Sequence, residues 1–105
     1  MVIVDENGFQ AMGKTQDIIE LGSIQSKFES FGFDSITVDG HDEMIINKAI
    51  EKLWNSGTKK PKALIAKTVK GKGVDFMEND NSWHYTRLDK GSYQAAIMSV
   101  DGNDV

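Results

Sequence analysis

The sequence predicts an α/β fold, a small parallel sheet of about three strands with flanking helices. Ala63-Leu-Ile-Ala66 is an unbroken apolar run of strand length, the pattern of a strand covered on both faces. Val2-Ile-Val4 and Ile36-Thr-Val38 are shorter β-branched runs, each closed by a turn signal. Between these runs apolar residues recur at helical spacing. Strands and helices therefore alternate, which implies parallel strands joined by right-handed crossovers.

In chain order, Val2-Ile-Val4 reads as a buried strand ended by Asp5-Glu-Asn-Gly8. A polar loop follows from Gln10 to Gly22, with a short helical turn available from Thr15 to Leu21. Ser23 can cap a helix. Ile24, Phe28 and Phe31 then lie at i, i+4 and i+7 on one face, and Gly32 supplies the left-handed residue that ends it. After the second strand, Asp42 and Glu43 place negative charge at the start of the next helix, where the macrodipole favours it. Ile46, Ile50, Leu53 and Trp54 form its expected buried stripe, and Asn55-Ser-Gly57 stops it. Pro61 precedes the third strand, and Gly71 and Gly73 break the chain after it. A last helix is expected from about Asp89 to Val100, with Tyr93, Ala96, Ile97 and Val100 on one side. The expected organisation is one domain over residues 1–100 and a frayed tail over 101–105.

A chain of 105 residues suits one domain with a thin core. Its 39% hydrophobic and 27% charged content is ordinary for a globular protein. No apolar run approaches the length needed to cross a bilayer, and Met1-Val-Ile-Val-Asp5 lacks the pattern of a signal peptide. The absence of cysteine excludes disulfides and zinc-thiolate sites. A cytoplasmic location is expected. The net charge of -4 hides an asymmetry: Lys59, Lys60, Lys62, Lys67, Lys70 and Lys72 follow one another with no acid among them. A local cationic stretch on an acidic protein suggests a small anion as ligand rather than nucleic acid. Taken alone, Lys59, Lys60 and Lys62 read as a solvated loop flanking a strand.

Open parallel sheets bind ligands outside the carboxyl ends of their strands. Three segments occupy that edge: Asp5-Glu-Asn-Gly-Phe-Gln10, Asp39-Gly-His-Asp42 and Thr68-Val-Lys-Gly-Lys-Gly73. Asn7 offers a neutral amide oxygen to a hard cation, and the irregular backbone at Gly8 and Phe9 offers a carbonyl. Magnesium takes such oxygen ligands and often completes its shell from phosphates. Lys70 can reach an anion while Gly71 lets the backbone approach it. Each segment alone has a plainer reading. Asp-Glu-Asn-Gly is commonly a turn, Lys-Gly-Lys-Gly a solvated loop, and His41 an orienting group near a helix start. Trp83 and Tyr85 alone read as core residues, with His84 a surface histidine between them.

Taken together, the segments resemble a known family. Val2-Ile-Val-Asp-Glu-Asn-Gly-Phe-Gln-Ala-Met-Gly-Lys-Thr15 is similar to the second half of the thiamine-diphosphate motif of transketolases. Lys27 to Phe33, Val38-Asp-Gly-His-Asp42, Lys62 to Val74, Phe76-Met-Glu-Asn79 and Trp83-His84 resemble further family segments in the same order. The wording is closest to the N-terminal subunit of split bacterial and archaeal transketolases, and the similarity covers roughly residues 2–98. It implies thiamine diphosphate and Mg2+ as cofactors. Asn7 is then the asparagine, and Phe9 the backbone carbonyl, that hold the metal on the diphosphate. Lys70 matches a lysine of the active-site loop. His84 matches a catalytic histidine that approaches the diphosphate and the reacting centre. The family often has glycine after this histidine, where Tyr85 stands here.

The family motif opens with Gly-Asp-Gly on an earlier strand. Only six residues precede Asn7 and they hold no such tripeptide. The activating glutamate of the family lies on a separate pyrimidine-binding domain, which is expected to come from other polypeptide. The expectation is a truncated part of a transketolase that supplies one wall of the Mg-diphosphate site. It would be inactive alone, with weak or absent cofactor binding. Its partners would be complementary transketolase segments or subunits, or copies of itself. Sugar phosphates would be substrates only in a complete assembly, and neither nucleic acid nor membrane is expected. The alternative is a non-catalytic assembly or regulatory module that keeps the fold. Behind it stands an independent enzyme reusing Lys70 and His84 for other phosphate chemistry.

Overall fold

The structure is a computed structural model, and residues 1–103 are described. In chain order the elements are β1 (Val2–Glu6), β2 (Phe9–Gln10), β3 (Gly13–Lys14), α1 (Thr15–Ile18), α2 (Ile24–Ser30), β4 (Asp34–Asp39), α3 (Glu43–Trp54), β5 (Lys62–Lys67), a 3-10 turn (Asn81–His84) and α4 (Lys90–Asn103). They fall into two compact units. The first joins Met1–Asn7 to Ile19–Thr68, and the second joins Gly8–Ile18 to the described residues from Val69 onward. No helix among the described residues is long and apolar enough to cross a membrane.

The first unit is the expected parallel sheet, in the order β1-β5-β4. Central β5 pairs Ala63 and Leu64 with Val2 and Ile3 on one side, and with Ser35 and Ile36 on the other. Ala63, Leu64, Ile65 and Ala66 are all buried, as an unbroken apolar strand requires. Leu64 packs on Ala49 and Leu53 of α3, with Ile36, Val38, Ile46 and Ile50 around them. On the alternate face, Thr37 donates its hydroxyl to Gln25 of α2 at 2.7 Å, and its register partner is Ile65. Ser23 caps α2 by accepting from Ser26 N, and Asp42 caps α3 by accepting from Ile45 N. Gly32 takes the left-handed conformation after α2, φ 86°.

Several apolar residues lie elsewhere than their spacing suggested. β1 is an edge strand rather than a buried one: it pairs with β5, and Ile3 is 63% exposed. Phe31 is 82% exposed because α2 ends at Ser30, which leaves Phe31 as the residue after the last turn. Trp54, the final residue of α3, is 62% exposed. Ala49, which the expected stripe omitted, is buried beside Leu53 and Leu64.

The second unit contains an antiparallel β2-β3 hairpin where a polar loop was expected. Phe9 pairs with Lys14 and Gln10 with Gly13, whose φ of 143° suits glycine. The helical turn α1 stops at Ile18, short of Leu21. Before α4, Asp89 accepts from Ser92 N at 2.7 Å while Ser92 Oγ accepts from Asp89 N at 2.9 Å, a reciprocal cap. The Ser92 backbone N–H first, then the Ser92 hydroxyl donating to Asp89 Oδ1 at 2.7 Å, hold the Asp89 carboxyl below its ordinary value. Of the expected apolar side of α4, Ala96 is buried, whereas Tyr93, Ile97 and Val100 are exposed. The helix continues to Asn103, and residues 104 and 105 of the expected tail lie outside the described residues.

Candidate functional site

In the first unit the carboxyl ends of all three strands arrive level. Glu6, Lys67 and Asp39 are register partners across β1, β5 and β4. The residues one step beyond are Asn7, Thr68 and Gly40. Thr68 N donates to Glu6 O at 3.3 Å and Gly40 N to Lys67 O at 2.7 Å, so strand pairing extends into the turns. Thr68 also donates its hydroxyl to Asp5 Oδ1. Asp5 Oδ2 accepts the amide N–H of Asn7 at 3.3 Å, which turns the amide nitrogen toward Asp5. Half-buried Asn7 is thus oriented by a carboxylate that Thr68 holds. His41 is exposed, and its backbone N donates to Asp39 Oδ1 at 2.9 Å.

Gly40 owes its identity to crowding. A Cβ there would meet Thr68 Cγ2 at 2.4 Å and Ala66 Cβ at 3.0 Å. The turn after β4 therefore runs close over β5.

In the second unit, Lys70 and His84 bracket a single hydrogen-bonded loop. Asn79 N donates to Lys70 O at 2.9 Å, and Val74 N to Gly71 O at 3.1 Å. Gly71 has φ 75°, and a Cβ there would lie 2.4 Å from Met77 O. Trp83 Nε1 donates to Phe76 O at 3.1 Å, and the two rings meet tilted at 58° with centroids 5.3 Å apart. Trp83 is thus the pin of the loop. His84 closes the 3-10 turn, exposed, with its ring edge-on to Tyr85 at 4.6 Å. Tyr85 is exposed rather than core. Asp80 caps that turn by accepting from Ser82 N at 2.9 Å. The Ser82 side chain, then its backbone N–H, hold the Asp80 carboxyl below its ordinary value.

Half-buried Phe9 lies in the hairpin of this same unit. Asn81, which opens the turn that His84 closes, donates its amide to Gln10 O at 3.0 Å, next to Phe9. Three of the expected site residues, Phe9, Lys70 and His84, therefore belong to one unit, and Asn7 belongs to the other.

The residue types suit a magnesium-bound phosphate in part. An asparagine amide and a backbone carbonyl are hard oxygen donors of the kind magnesium accepts. Among the described residues no cluster of three or more His, Cys, Asp or Glu could hold a metal ion. Such donors fit a fraction of a shell that phosphate and water complete, not an all-protein cage.

The lysine stretch divides differently from its sequence reading. Lys59 and Lys60 are exposed, but Lys62 is 6% exposed and not solvated. Its ammonium lies 2.6 Å from Asp34 Oδ2, 2.8 Å from Ser56 Oγ and 2.7 Å from Thr58 Oγ1. The cause is that β5 begins at Lys62 itself, in register with Asp34 at the start of β4. The Lys62 hydrogen bond, with Thr58 next, lowers the Asp34 carboxyl to about 2. This cluster sits at the amino ends of the strands, away from the edge where ligands gather.

Sequence reasoning missed the Asp5–Thr68 support for Asn7, and the anchoring roles of Asn81 and Trp83. Thr68 was signalled only by its place directly after a strand, and nothing in the pattern marked Asn81.

Comparison with known proteins bears on this arrangement. The profile of the family described as transketolase, thiamine diphosphate binding domain, matches residues 1–99. An apulose-4-phosphate transketolase subunit of Phocaeicola vulgatus is 31% identical over 100 residues, which is 95% of this chain and 35% of that protein. The 6-deoxy-6-sulfo-D-fructose transketolase subunit SqwG of a Clostridium species is 30% identical over 101 residues, 96% of this chain and 36% of that one. Among solved structures, a transketolase from Campylobacter jejuni superposes with a TM-score of 0.80 at 28% identity, covering 94% of this chain and 15% of that one. The chain thus spans about a third of the length of the subunit relatives.

Proposed function

The chain belongs to the transketolase family, within its thiamine-diphosphate-binding domain, and on that premise we propose that it forms one wall of a thiamine-diphosphate site and acts only with complementary polypeptide. The reaction class is ketol transfer between sugar phosphates. The observation that carries this reading is the level arrival of Asn7, Thr68 and Gly40 at the carboxyl edge of the parallel sheet.

When bound, thiamine diphosphate supplies the carbanion chemistry, and the protein orients it and tunes its surroundings. Asn7 and the Phe9 carbonyl would hold magnesium against the diphosphate. Asp5 orients the Asn7 amide, and Thr68 fixes Asp5. Lys70 would bring positive charge to the diphosphate. His84 would act near the reacting carbon, from the end of a loop that the Trp83–Phe76 contact keeps closed.

Complementary segments supplied in trans test the proposal. Purified chain alone is expected to show no ketol transfer from xylulose 5-phosphate to ribose 5-phosphate, and weak calorimetric binding of thiamine diphosphate with magnesium. Adding the missing segments is expected to restore both. In that complex Asn7→Ala should weaken magnesium-dependent cofactor binding, and His84→Ala should lower turnover more than affinity. Turnover by the chain alone above a no-protein control would overturn the proposal, as would micromolar cofactor affinity alone.

A second reading is an assembly module without catalysis. The open edge of β1, with Ile3 63% exposed, favours it, since an unpaired strand edge can pair with another chain. It predicts that the completed complex assembles yet binds no cofactor.

A further inference from the structure

The Lys70–His84 loop contains an acid that family resemblance assigned no role. Glu78 Oε1 accepts the backbone N–H of Gly73 at 3.2 Å and lies 3.9 Å from Lys72 Nζ. A carboxylate oxygen thus rests in a corner made of one backbone donor and one ammonium. Such corners recognise anions through fixed N–H groups with a cation beside them. We propose that this corner is an oxyanion site for a phosphate group, and that Glu78 occupies it as a built-in competitor.

The geometry fits a placeholder better than a structural lock. The hydrogen bond is long, the ion pair is at the limit of contact, and both side chains are partly exposed to water. Exposed pairs of this kind contribute little to stability. A phosphate carries more charge and more acceptor oxygens than a carboxylate, so it can displace Glu78 without unfolding the loop. The rest of the loop is closed by other bonds: Asn79 N to Lys70 O, Met77 N to Val74 O at 2.8 Å, and Trp83 to Phe76. Gly73 at φ 93° presents its N–H from a backbone conformation that side-chain-bearing residues rarely adopt. The corner and Lys70 stand on one loop, so the inference deepens the diphosphate reading and rests on it for the choice of phosphate as ligand.

The test uses the full chain, labelled with 15N, and two probes without thiamine: inorganic pyrophosphate, which resembles the cofactor end, and methyl phosphate, which resembles a sugar phosphate. The Gly73 amide signal is followed during titration. In Glu78→Ala its midpoint with the preferred probe should fall about two- to fivefold, the scale of releasing a weak exposed contact. Glu78→Gln, which keeps an acceptor oxygen but no charge, should show a smaller fall in the same direction, and it carries the test should the alanine variant fail to fold. Lys72→Ala should raise the midpoint. Asp75→Asn removes an equal charge from the same loop without touching the corner, and should leave the midpoint unchanged. An unmoved Gly73 amide, equal midpoints in wild type and both Glu78 variants, or an equal gain in Asp75→Asn overturns the proposal. Thiamine diphosphate with magnesium separates the two claims. If it binds the completed complex while the Gly73 amide stays still, the corner falls and the cofactor reading stands. If pyrophosphate behaves as expected but that complex binds no cofactor, the corner stands and the cofactor reading falls.

Discussion

Gly40→Ala tests whether the strand-end turns carry the site. A Cβ at this position would come within 2.4 Å of Thr68 Cγ2, and within 3.0 Å of both Ala66 Cβ and Lys67 O. The contacts with Ala66 Cβ and Lys67 O are tight, but the Thr68 methyl must move. Thr68 cannot rotate away while its hydroxyl stays on Asp5, and Asp5 in turn takes the amide of Asn7. One methyl group should therefore disturb Asn7 through three contacts. Overpacking of this sort costs about 1–3 kcal/mol, and a domain of this size loses about 4–8 °C of Tm per kcal/mol. Melting followed by circular dichroism should show that fall, and the Asn7 side-chain amide signals should shift in an 15N spectrum. Thr68→Ser removes the offending methyl and keeps the hydroxyl, so the double variant should recover more than half of the lost stability. An alanine variant that melts with the wild type would refute the reasoning. So would a double variant no better than Gly40→Ala alone, since the clash would then lie elsewhere.

Four further outcomes are expected. The Asp34 carboxyl is lowered from 3.8 to about 2 in the folded chain, so its contribution to stability is present above pH 3.8 and is lost as pH falls through about 2; Asp34→Asn should flatten that part of an acid-unfolding curve. Replacing Lys62 by Met and Asp34 by Leu together should leave Tm nearly unchanged while broadening amide signals along β4 and β5, whereas sharp signals throughout would deny the pair a role in register. Gly71→Ala places a Cβ 2.4 Å from Met77 O at a positive φ, so hydrogen exchange at the Asn79 amide should quicken while exchange in β5 stays slow. The isolated chain should associate at low micromolar concentration in light scattering, because β1 is an open sheet edge carrying an exposed Ile3; a monodisperse monomer would contradict this.

What the sequence made legible follows from how local each signal is. β5 was read from four consecutive apolar residues, and its burial needs only two covered faces. The cap at Ser23 and the charge of Asp42 at a helix start were equally local signals, and each side chain bonds an N–H three residues on. The exposed aromatic residues were not local in this sense. Phe31 has the right spacing for the apolar face of α2, but the helix stops one residue earlier. Trp54 sits at a helix end, where spacing alone cannot tell a face from a terminus. At the candidate site, residue types were legible and supports were not. Asn7, Lys70 and His84 came from motif resemblance, whereas the bond from Thr68 to Asp5 joins residues 63 positions apart and leaves no trace in either segment. Lys62 illustrates the same limit. A lysine beside two exposed lysines looks solvated until the register of β4 sets Asp34 beside it.

The pair of buried Lys62 and half-buried Asp34 also bears on why the opposite edge is well formed. Asp34 and Lys62 are partners at one end of β4 and β5, and Asp39 and Lys67 are partners at the other. Desolvating an ammonium offsets much of what its ion pair returns, so Lys62 is a poor device for stability alone. It is a good device for register. A slip of one residue would part Lys62 from Asp34, leave a buried cation without its acid, and turn the faces of the strand over. Apolar β5 could not resist such a slip by patterning, since Leu64 and Ile65 are buried on opposite faces and either suits a core. The charge pair removes that ambiguity. With β4 and β5 held in register at the amino edge, Gly40 N meets Lys67 O at the carboxyl edge. The close seating of Gly40 on Thr68 thus depends on strand alignment that a lysine at the far end of the sheet enforces.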